Sequence, residues 1–200
     1  MAPELLIAIE GPDGVGKTTV CQLIKQLLDD VGVSAVLVKP GQAPFREFVD
    51  STVNTISTSA QVFFWISTVC HLSSQIQSIR EARVVISDRY IYSALAYAKA
   101  RGVSLQVDLH SLGIRIPDFS FLLSADTAVL KERLSSRHLT SSVDTSVYSN
   151  SAFLASLVEE YSTFGLQCID TTHMTPYDVA MVVLQTAWQA NLPSSGLPQH

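Results

Sequence analysis

The sequence predicts an α/β fold, a five-stranded parallel sheet with helices on both faces, and three observations carry that prediction. Five short apolar runs alternate with stretches of helical period along the 200 residues. That alternation is what crossover units produce when they lay strands side by side in parallel. The first strand and the first helix are joined by Gly11-Pro12-Asp13-Gly14-Val15-Gly16-Lys17-Thr18-Thr19, a stretch of the form G-x-x-x-x-G-K-[ST]. No internal repeat or linker divides the chain, and a composition of 47% hydrophobic and 16% charged residues suits one buried core. One domain over residues 1–190 is expected, followed by a frayed tail over 191–200 that has two prolines and little to bury.

The elements follow in order. Leu5 to Ile9 is the first strand, an unbroken apolar run. Val20, Leu23, Ile24, Leu27 and Leu28 recur at helical spacing, so Val20 to Asp30 reads as helix, closed by Val31-Gly32. Val33 to Val38 is the second strand, stopped by Lys39-Pro40-Gly41. Phe45 to Ile56 reads as a short helix and Ser57 to Arg80 as a long one with no proline or glycine inside it. Arg83 to Ser87 is the third strand, Ile91 to Ala100 a helix closed by Gly102, and Leu105 to Leu112 a further short helix. Pro117-Asp118 introduces the fourth strand, Phe119 to Leu123, and Asp126 starts a helix reaching about Arg137. Residues 138–150 are rich in Ser and Thr without apolar periodicity and read as a mobile loop. Phe153 to Tyr161 is helix, Leu166 to Ile169 the fifth strand and Tyr177 to Gln189 the last helix.

Bulk properties exclude several classes. A formal net charge of −5 gives no support to binding a nucleic acid polymer, which needs a basic face. Cys21, Cys70 and Cys168 show neither metal spacing nor a disulfide framework and read as buried free thiols. The first residues lack the basic region of a signal peptide, and no apolar run is long enough to cross a membrane, so a soluble, cytoplasmic protein is expected.

The glycine-rich stretch points to a nucleoside triphosphate. Its glycines (Gly11, Gly14, Gly16) admit backbone angles that let successive N–H groups, those of Val15 and Thr19 among them, face inward as an anion nest at a helix N-terminus. Lys17 is placed to reach the β- and γ-phosphates and the Thr18 hydroxyl to bind Mg²⁺. Right-handed crossovers bring the ends of the first three strands to one edge, so this loop, Lys39 and Asp88 are expected to converge. Asp88, following the third strand, is a candidate Mg²⁺ holder, and its competing reading is a helix N-cap. Arg89 is a candidate phosphate clamp, with a salt bridge to Asp88 or Asp13 as its alternative. Asp13 sits beside a triphosphate at an electrostatic cost, which suggests a task toward the acceptor, as base or orienting group; a simple turn-forming Asp competes with it. Glu10 reads as a structural partner for nearby N–H groups. Phosphoryl transfer also needs arginine at the γ-phosphate, and Arg133 and Arg137, four apart at the end of a helix, are the nearest supply if the segment after them closes as a lid over residues 137–150. The alternative for this pair is a solvated basic helix end.

Together these stretches resemble the thymidylate kinase family. Ile9 to Thr19 is similar to its phosphate-loop signature, and Asp88-Arg89-Tyr90-Ile91-Tyr92-Ser93-Ala94-Leu95-Ala96-Tyr97 to its D-R-Y…S…A-Y segment. Pro117-Asp118, Leu130 to Arg137, Asp144 and Tyr161 resemble its lid region and the helix after it, so nearly the whole chain is covered. The resemblance implies a three-layer P-loop kinase fold, ATP as phosphoryl donor with Mg²⁺, a nucleoside monophosphate such as dTMP as acceptor, and a homodimer packed through helices. It gives Asp13, Lys17, Arg89 and Arg137 catalytic parts, and places Phe64, Thr68, Tyr97 and Arg46 with Asp13 and Arg89 on the acceptor side. Members of the family without arginine in the loop carry it in the lid, and Gly14 puts this chain with them. The acceptor side departs from the pattern: Val38-Lys39-Pro40-Gly41 stands for R-E-P-G, Asp50 and Thr68 stand where arginines are expected, and Ala98 stands for a glutamine, while His71 matches. A kinase of the same fold with another acceptor, nucleoside or specialised metabolite, and a nucleotide-binding protein with a decayed acceptor site stay open as alternatives.

Overall fold

The computed structural model describes residues 3–135 and 151–191. Its elements are β1 (Leu5–Glu10), α1 (Lys17–Asp30), β2 (Ala35–Val38), α2 (Arg46–Ser51), a 3₁₀ turn (Val53–Thr55), α3 (Thr58–Ser78), β3 (Val84–Asp88), α4 (Ile91–Ala100), β4 (Phe119–Ser124), α5 (Thr127–Ser135), α6 (Ser151–Ser162), β5 (Gln167–Asp170) and α7 (Pro176–Asn191). The five strands form one parallel sheet in the order β2-β3-β1-β4-β5. Helices cover both faces, giving the predicted α/β layers. Both faces of the central strands are buried, which is why β1 reads as a continuous apolar run rather than an alternating one.

The alternation appears in what each side chain meets. Leu5, Ile7 and Ile9 of β1 pack with Val20, Ile24 and Leu28 of α1 and Val183 and Leu184 of α7. Leu6 and Ala8 point the other way, onto Val69, Leu72 and Ile76 of α3 and onto Ile91. A smaller cluster joins Leu122 and Ala96 to Leu157 and Tyr161 of α6. Register places Ile9 beside Asp88 on one side and beside Phe121 on the other. The C-terminal ends of β1 and β3 are therefore adjacent, and the loops leaving them share one edge.

Three expectations need correction. The helix predicted over Leu105 to Leu112 does not form. Val103, Leu105 and Val107 pack in extended chain against Val62, Ile66 and Ala98, a period of two. Asp108 then takes the His110 N–H on its own carboxylate at 3.0 Å, and its carbonyl holds Ser111 Oγ at 2.9 Å. These local bonds make a turn where a helix would need the same groups. The helix predicted over Phe45 to Ile56 is split, with Thr52 between α2 and the 3₁₀ turn. Of the three cysteines, Cys21 is buried but Cys168 is exposed on the edge strand β5. Residues 138–150 and the tail 192–200 lie outside the described residues, as do Arg137 and Asp144.

Glu10, the last residue of β1, is fully buried. Its carboxylate accepts from the backbone N–H of Tyr90 and of Ser93, each at 3.1 Å, and from the Ser93 hydroxyl. It thus satisfies donors at the start of α4 that have no partner inside the helix. Burial pushes its pKa up, against the lowering effect of the Ser93 hydroxyl, Arg89 and the Tyr90 amide. Glu10→Ala is expected to strand these donors at a cost of roughly 3 kcal/mol. For a chain of this size that is a fall in Tm of about 6–12 °C, read by a thermal melt; a fall under about 2 °C would remove Glu10 from this role.

Candidate active site

The glycine-rich loop joins β1 to α1 as predicted, and its local geometry explains its residues. Gly11 has φ 137°, and a Cβ there would lie 2.4 Å from the Leu123 carbonyl oxygen on β4, so only glycine fits. A Cβ on Gly14 would lie 2.8 Å from Cγ of Leu134 on α5. The loop is thus pressed against the sheet at one end and against α5 at the other. Helix α1 begins at Lys17, three residues earlier than periodicity indicates, after Gly16 at φ 99°, and no side chain caps it. With Thr18 and Thr19 exposed at its first turn, the helix presents a bare N-terminus of the kind that binds anions.

Lys17 is buried and donates to the Pro12 carbonyl at 2.6 Å, with Asp13 at 3.9 Å. Burial and then the neighbouring Arg89 charge pull its pKa down to about 7, against the raising effect of Asp13 and Asp88. Phosphate oxygens favour the charged ammonium, so triphosphate binding takes up a proton once the free loop has lost one, above pH 7. ATP affinity is therefore expected to weaken between pH 7 and 9, by up to about tenfold per unit. A calorimetric pH series checks this, and Lys17→Arg, charged throughout, is expected to flatten the profile.

Thr18, Asp88 and Lys39 meet at the shared edge. Thr18 Oγ1 donates to Asp88 Oδ2 at 2.6 Å, and Lys39 Nζ reaches the same oxygen at 3.0 Å. Burial would raise the Asp88 pKa, but Lys39, Thr18 and Lys17 outweigh it and hold the carboxyl below its usual value. Asp88 Oδ1 is buried with no hydrogen-bond partner among the described residues. A hydroxyl and a buried carboxylate with an open oxygen are a donor set that fits Mg²⁺, which typically takes one or two carboxylates and completes its shell with phosphate and water. No cluster of three His, Cys, Asp or Glu occurs among the described residues.

Arg89 follows β3 at φ 73°, a backbone region costly for a residue with a side chain. Many contacts over-determine it. Its guanidinium pairs with Asp13 and donates to the Gly11 carbonyl at 2.9 Å and to Ser93 Oγ at 3.2 Å. Its own N–H bonds to the Ile9 carbonyl at 3.0 Å. Asp13 also accepts from the Tyr97 hydroxyl at 3.1 Å, and the guanidinium lies 5.3 Å from the Tyr97 ring. The fully buried Tyr161 adds its hydroxyl at 2.8 Å from Ser93 Oγ and donates to the Gly11 carbonyl at 3.3 Å. Of the alternatives for Arg89, the salt bridge to Asp13 is present, and it ties the loop to the start of α4.

A cavity of about 440 Å³ opens beside these groups, lined by Thr18, Lys39 and Asp88 at its polar part. Val38, Pro40, Ala43, Phe45 and Leu72 give it an apolar wall, and Thr68, His71 and Gln75 on one face of α3 add polar groups. That volume suits a small-molecule ligand. Of the six acceptor-side candidates only Thr68 lines this cavity; Asp13, Arg89 and Tyr97 are held together at the glycine-rich loop, and the remaining two are placed elsewhere. Phe64 is not among the lining residues; it packs on Phe48 at 4.8 Å and on Phe45 at 6.0 Å, and Phe45 is the ring at the wall. Arg46 donates to Asp50 at 2.8 Å on the exposed side of α2 and is also absent from the lining. Thr68 does line the cavity, with its hydroxyl turned to the Trp65 carbonyl at 2.8 Å. Sequence reasoning missed Phe45, which reads there only as a helix start, while His71, which matches the resemblance on the acceptor side, does stand in the wall. His71 Nε2 is buried without a partner among the described residues, and its ring meets Phe45 edge-on at 5.2 Å.

On the far side of the loop, Arg133 donates to Thr171 Oγ1 at 3.2 Å and to the Thr171 carbonyl at 2.9 Å. Thr171 in turn reaches the Ser124 carbonyl at 2.9 Å. Arg133 therefore braces α5 against the segment after β5.

A phosphate-cradling loop, a buried lysine, a threonine–aspartate pair and a ligand-sized cavity at one edge of a parallel sheet define a P-loop nucleotide kinase. The family model for thymidylate kinase matches residues 9–173. Two relatives agree: a probable thymidylate kinase of Thermococcus kodakarensis is 34% identical over 156 residues, covering 70% of this chain and 76% of that one. The thymidylate kinase of Campylobacter fetus is 31% identical over 144 residues, covering 66% and 73%. The solved structure of thymidylate kinase from Candida albicans superposes with a TM-score of 0.71 at 21% identity, over 99% of this chain and 98% of that one, a likeness of fold. The chain belongs to the thymidylate kinase family and is an ATP-dependent nucleotide kinase.

Proposed function

We propose that the protein transfers the γ-phosphoryl group of ATP to dTMP, in a site built from the loop, Asp88 and the adjacent cavity. The observation that supports it best is that Thr18 and Asp88, 2.6 Å apart, both line the cavity, so the metal-donor pair and the acceptor space are one volume. The N-terminus of α1 and Lys17 hold the β- and γ-phosphates of the donor. Thr18 and Asp88 would hold Mg²⁺, which would supply positive charge against those oxygens. An acceptor phosphate oxygen attacks the γ-phosphorus in line, the bond to the β–γ bridging oxygen breaks, and ADP leaves. Arg89, fixed by Asp13, faces the charge that builds on the transferring group. Asp13 and Tyr97 set that arginine's position. The loop lacks an arginine at Gly14, and Arg137, outside the described residues, is the candidate for the remaining positive charge.

ADP release with ATP·Mg²⁺ and a panel of monophosphates tests this reading. Turnover on dTMP above all others is expected, and no turnover on any monophosphate would overturn it. The departures at Thr68 and Ala98 favour one second reading, a different acceptor on the same machinery, which turnover on thymidine but not on dTMP would select. A homodimer belongs to the same proposal, supported by Phe63, 61% exposed on α3; a monomeric mass by light scattering would remove it. No helix among the described residues is long and apolar enough to cross a membrane. A cytoplasmic location is proposed with the function, and cell fractionation tests it.

A further inference from the structure

We propose that Lys39 binds the phosphate of the acceptor, and that it leaves Asp88 to do so when the metal–nucleotide complex arrives. The proposal rests on the kinase reading above. Lys39 follows β2 directly and lines the cavity. Its ammonium lies 3.0 Å from Asp88 Oδ2, yet its side chain is 41% exposed while that of Asp88 is 3% exposed. The carboxylate is buried and the cation stands at the open side of the pair. A lysine's four-carbon stem lets the charge move several ångströms without any backbone change.

Among the residues lining the cavity, Lys39 carries the only permanent positive charge. A phosphate dianion entering past Val38, Pro40, Ala43 and Phe45 loses water and must be answered by a cation. Arg46 is spent on Asp50 and Arg89 on Asp13, neither among the lining residues, and Val38 and Thr68 bring no charge where the family pattern has arginine. Lys39 itself stands where that pattern has glutamate, so the cleft edge has gained a cation as it lost others.

The same geometry explains how the lysine is released. Asp88 Oδ2 already takes the Thr18 hydroxyl and Lys39, and only Oδ1 is open. A divalent cation settling on Thr18 and Asp88 repels an ammonium on that carboxylate. Lys39 is driven toward the cavity as the donor complex assembles. Before then it is the counter-ion of Asp88 and competes with the metal. The residue therefore favours acceptor binding after metal and nucleotide.

Lys39→Met and Lys39→Gln test this, with Lys25→Gln on the outer side of α1 as the control. Three readings are taken: the affinity for dTMP and for thymidine by calorimetry with ADP·Mg²⁺ present, and Mn²⁺ binding to nucleotide-free enzyme by electron paramagnetic resonance. Both variants are expected to weaken dTMP at least about tenfold while thymidine, which has no phosphate, changes less than about twofold. Mn²⁺ is expected to bind several-fold more tightly than to the wild type. Lys39→Arg is expected to recover most of the dTMP affinity. Equal losses for dTMP and thymidine, or unchanged dTMP affinity, would overturn the phosphate role. Unchanged Mn²⁺ binding would overturn the exchange at Asp88. Failure of the wild type to bind any monophosphate would instead bring down the kinase reading and this proposal with it, and that result is visible without any variant.

Discussion

Lys17→Met is expected to lower kcat on the order of 10³-fold, the scale of removing one buried charge-assisted donor from a transition state. Lys17 is 6% exposed and donates to the Pro12 carbonyl within its own loop. Its charge is costly there, which is why its pKa sits near 7 before phosphate arrives. A buried ammonium meets little screening from water, so it acts on phosphate oxygens at close to full strength. Methionine matches the stem and leaves the apolar packing, so the melting temperature is expected to hold within a few degrees. Steady-state kinetics beside a thermal melt checks both halves. A variant that keeps more than about a tenth of the wild-type kcat would show that the loop does not use this lysine.

Asp88→Asn is expected to lower kcat on the order of 10²-fold and to raise the half-saturating Mg²⁺ concentration at least about tenfold. The substitution keeps the shape and one oxygen but removes the charge. Thr18 then loses a charged acceptor at 2.6 Å, and Lys39 loses its counter-ion at 3.0 Å. The structure separates this from an N-cap role. Helix α4 takes no side-chain cap from its flanking residue Tyr90, and Glu10 serves the N–H groups there instead. Loss of an N-cap would move stability and leave the Mg²⁺ dependence alone. A Mg²⁺ titration of kcat, with Tm measured on the same sample, distinguishes the two. An unchanged Mg²⁺ midpoint with a lowered Tm would contradict the metal role.

The parts of this fold that periodicity revealed are those where burial repeats locally. β1, β3 and β4 are apolar on consecutive residues because both sheet faces are covered, and Ile91 to Ala100 matched its helix residue for residue. The loop was legible for another reason: glycine spacing, lysine and threonine are all imposed by one anion within nine residues. What escaped depends on pairings between distant segments. The Asp13–Arg89 contact, legible only as one alternative for Arg89, exists because β1 and β3 are neighbours in a register that sets Ile9 beside Asp88, and strand order is not written in any local pattern. Glu10 was readable only as a partner of nearby N–H groups; that these belong to α4, 80 residues on, follows from the same register. Phe45, not the expected Phe64, stands at the wall because Phe45 and Phe48 lie across Phe64 of α3, a docking that neither segment specifies alone. Val103, Leu105 and Val107 did carry their signal, a period of two, which was overridden by reading the stretch as helix.

We propose that the loop, Asp88 and the cavity work as one site that moves a phosphoryl group between two nucleotides. Phosphorus NMR of the purified protein with ATP, Mg²⁺ and dTMP tests it most directly. The account predicts that ADP and dTDP appear in equal amounts, with no inorganic phosphate and no loss of ATP when dTMP is left out. Release of inorganic phosphate in place of dTDP, or ATP left intact beside dTMP, would contradict it.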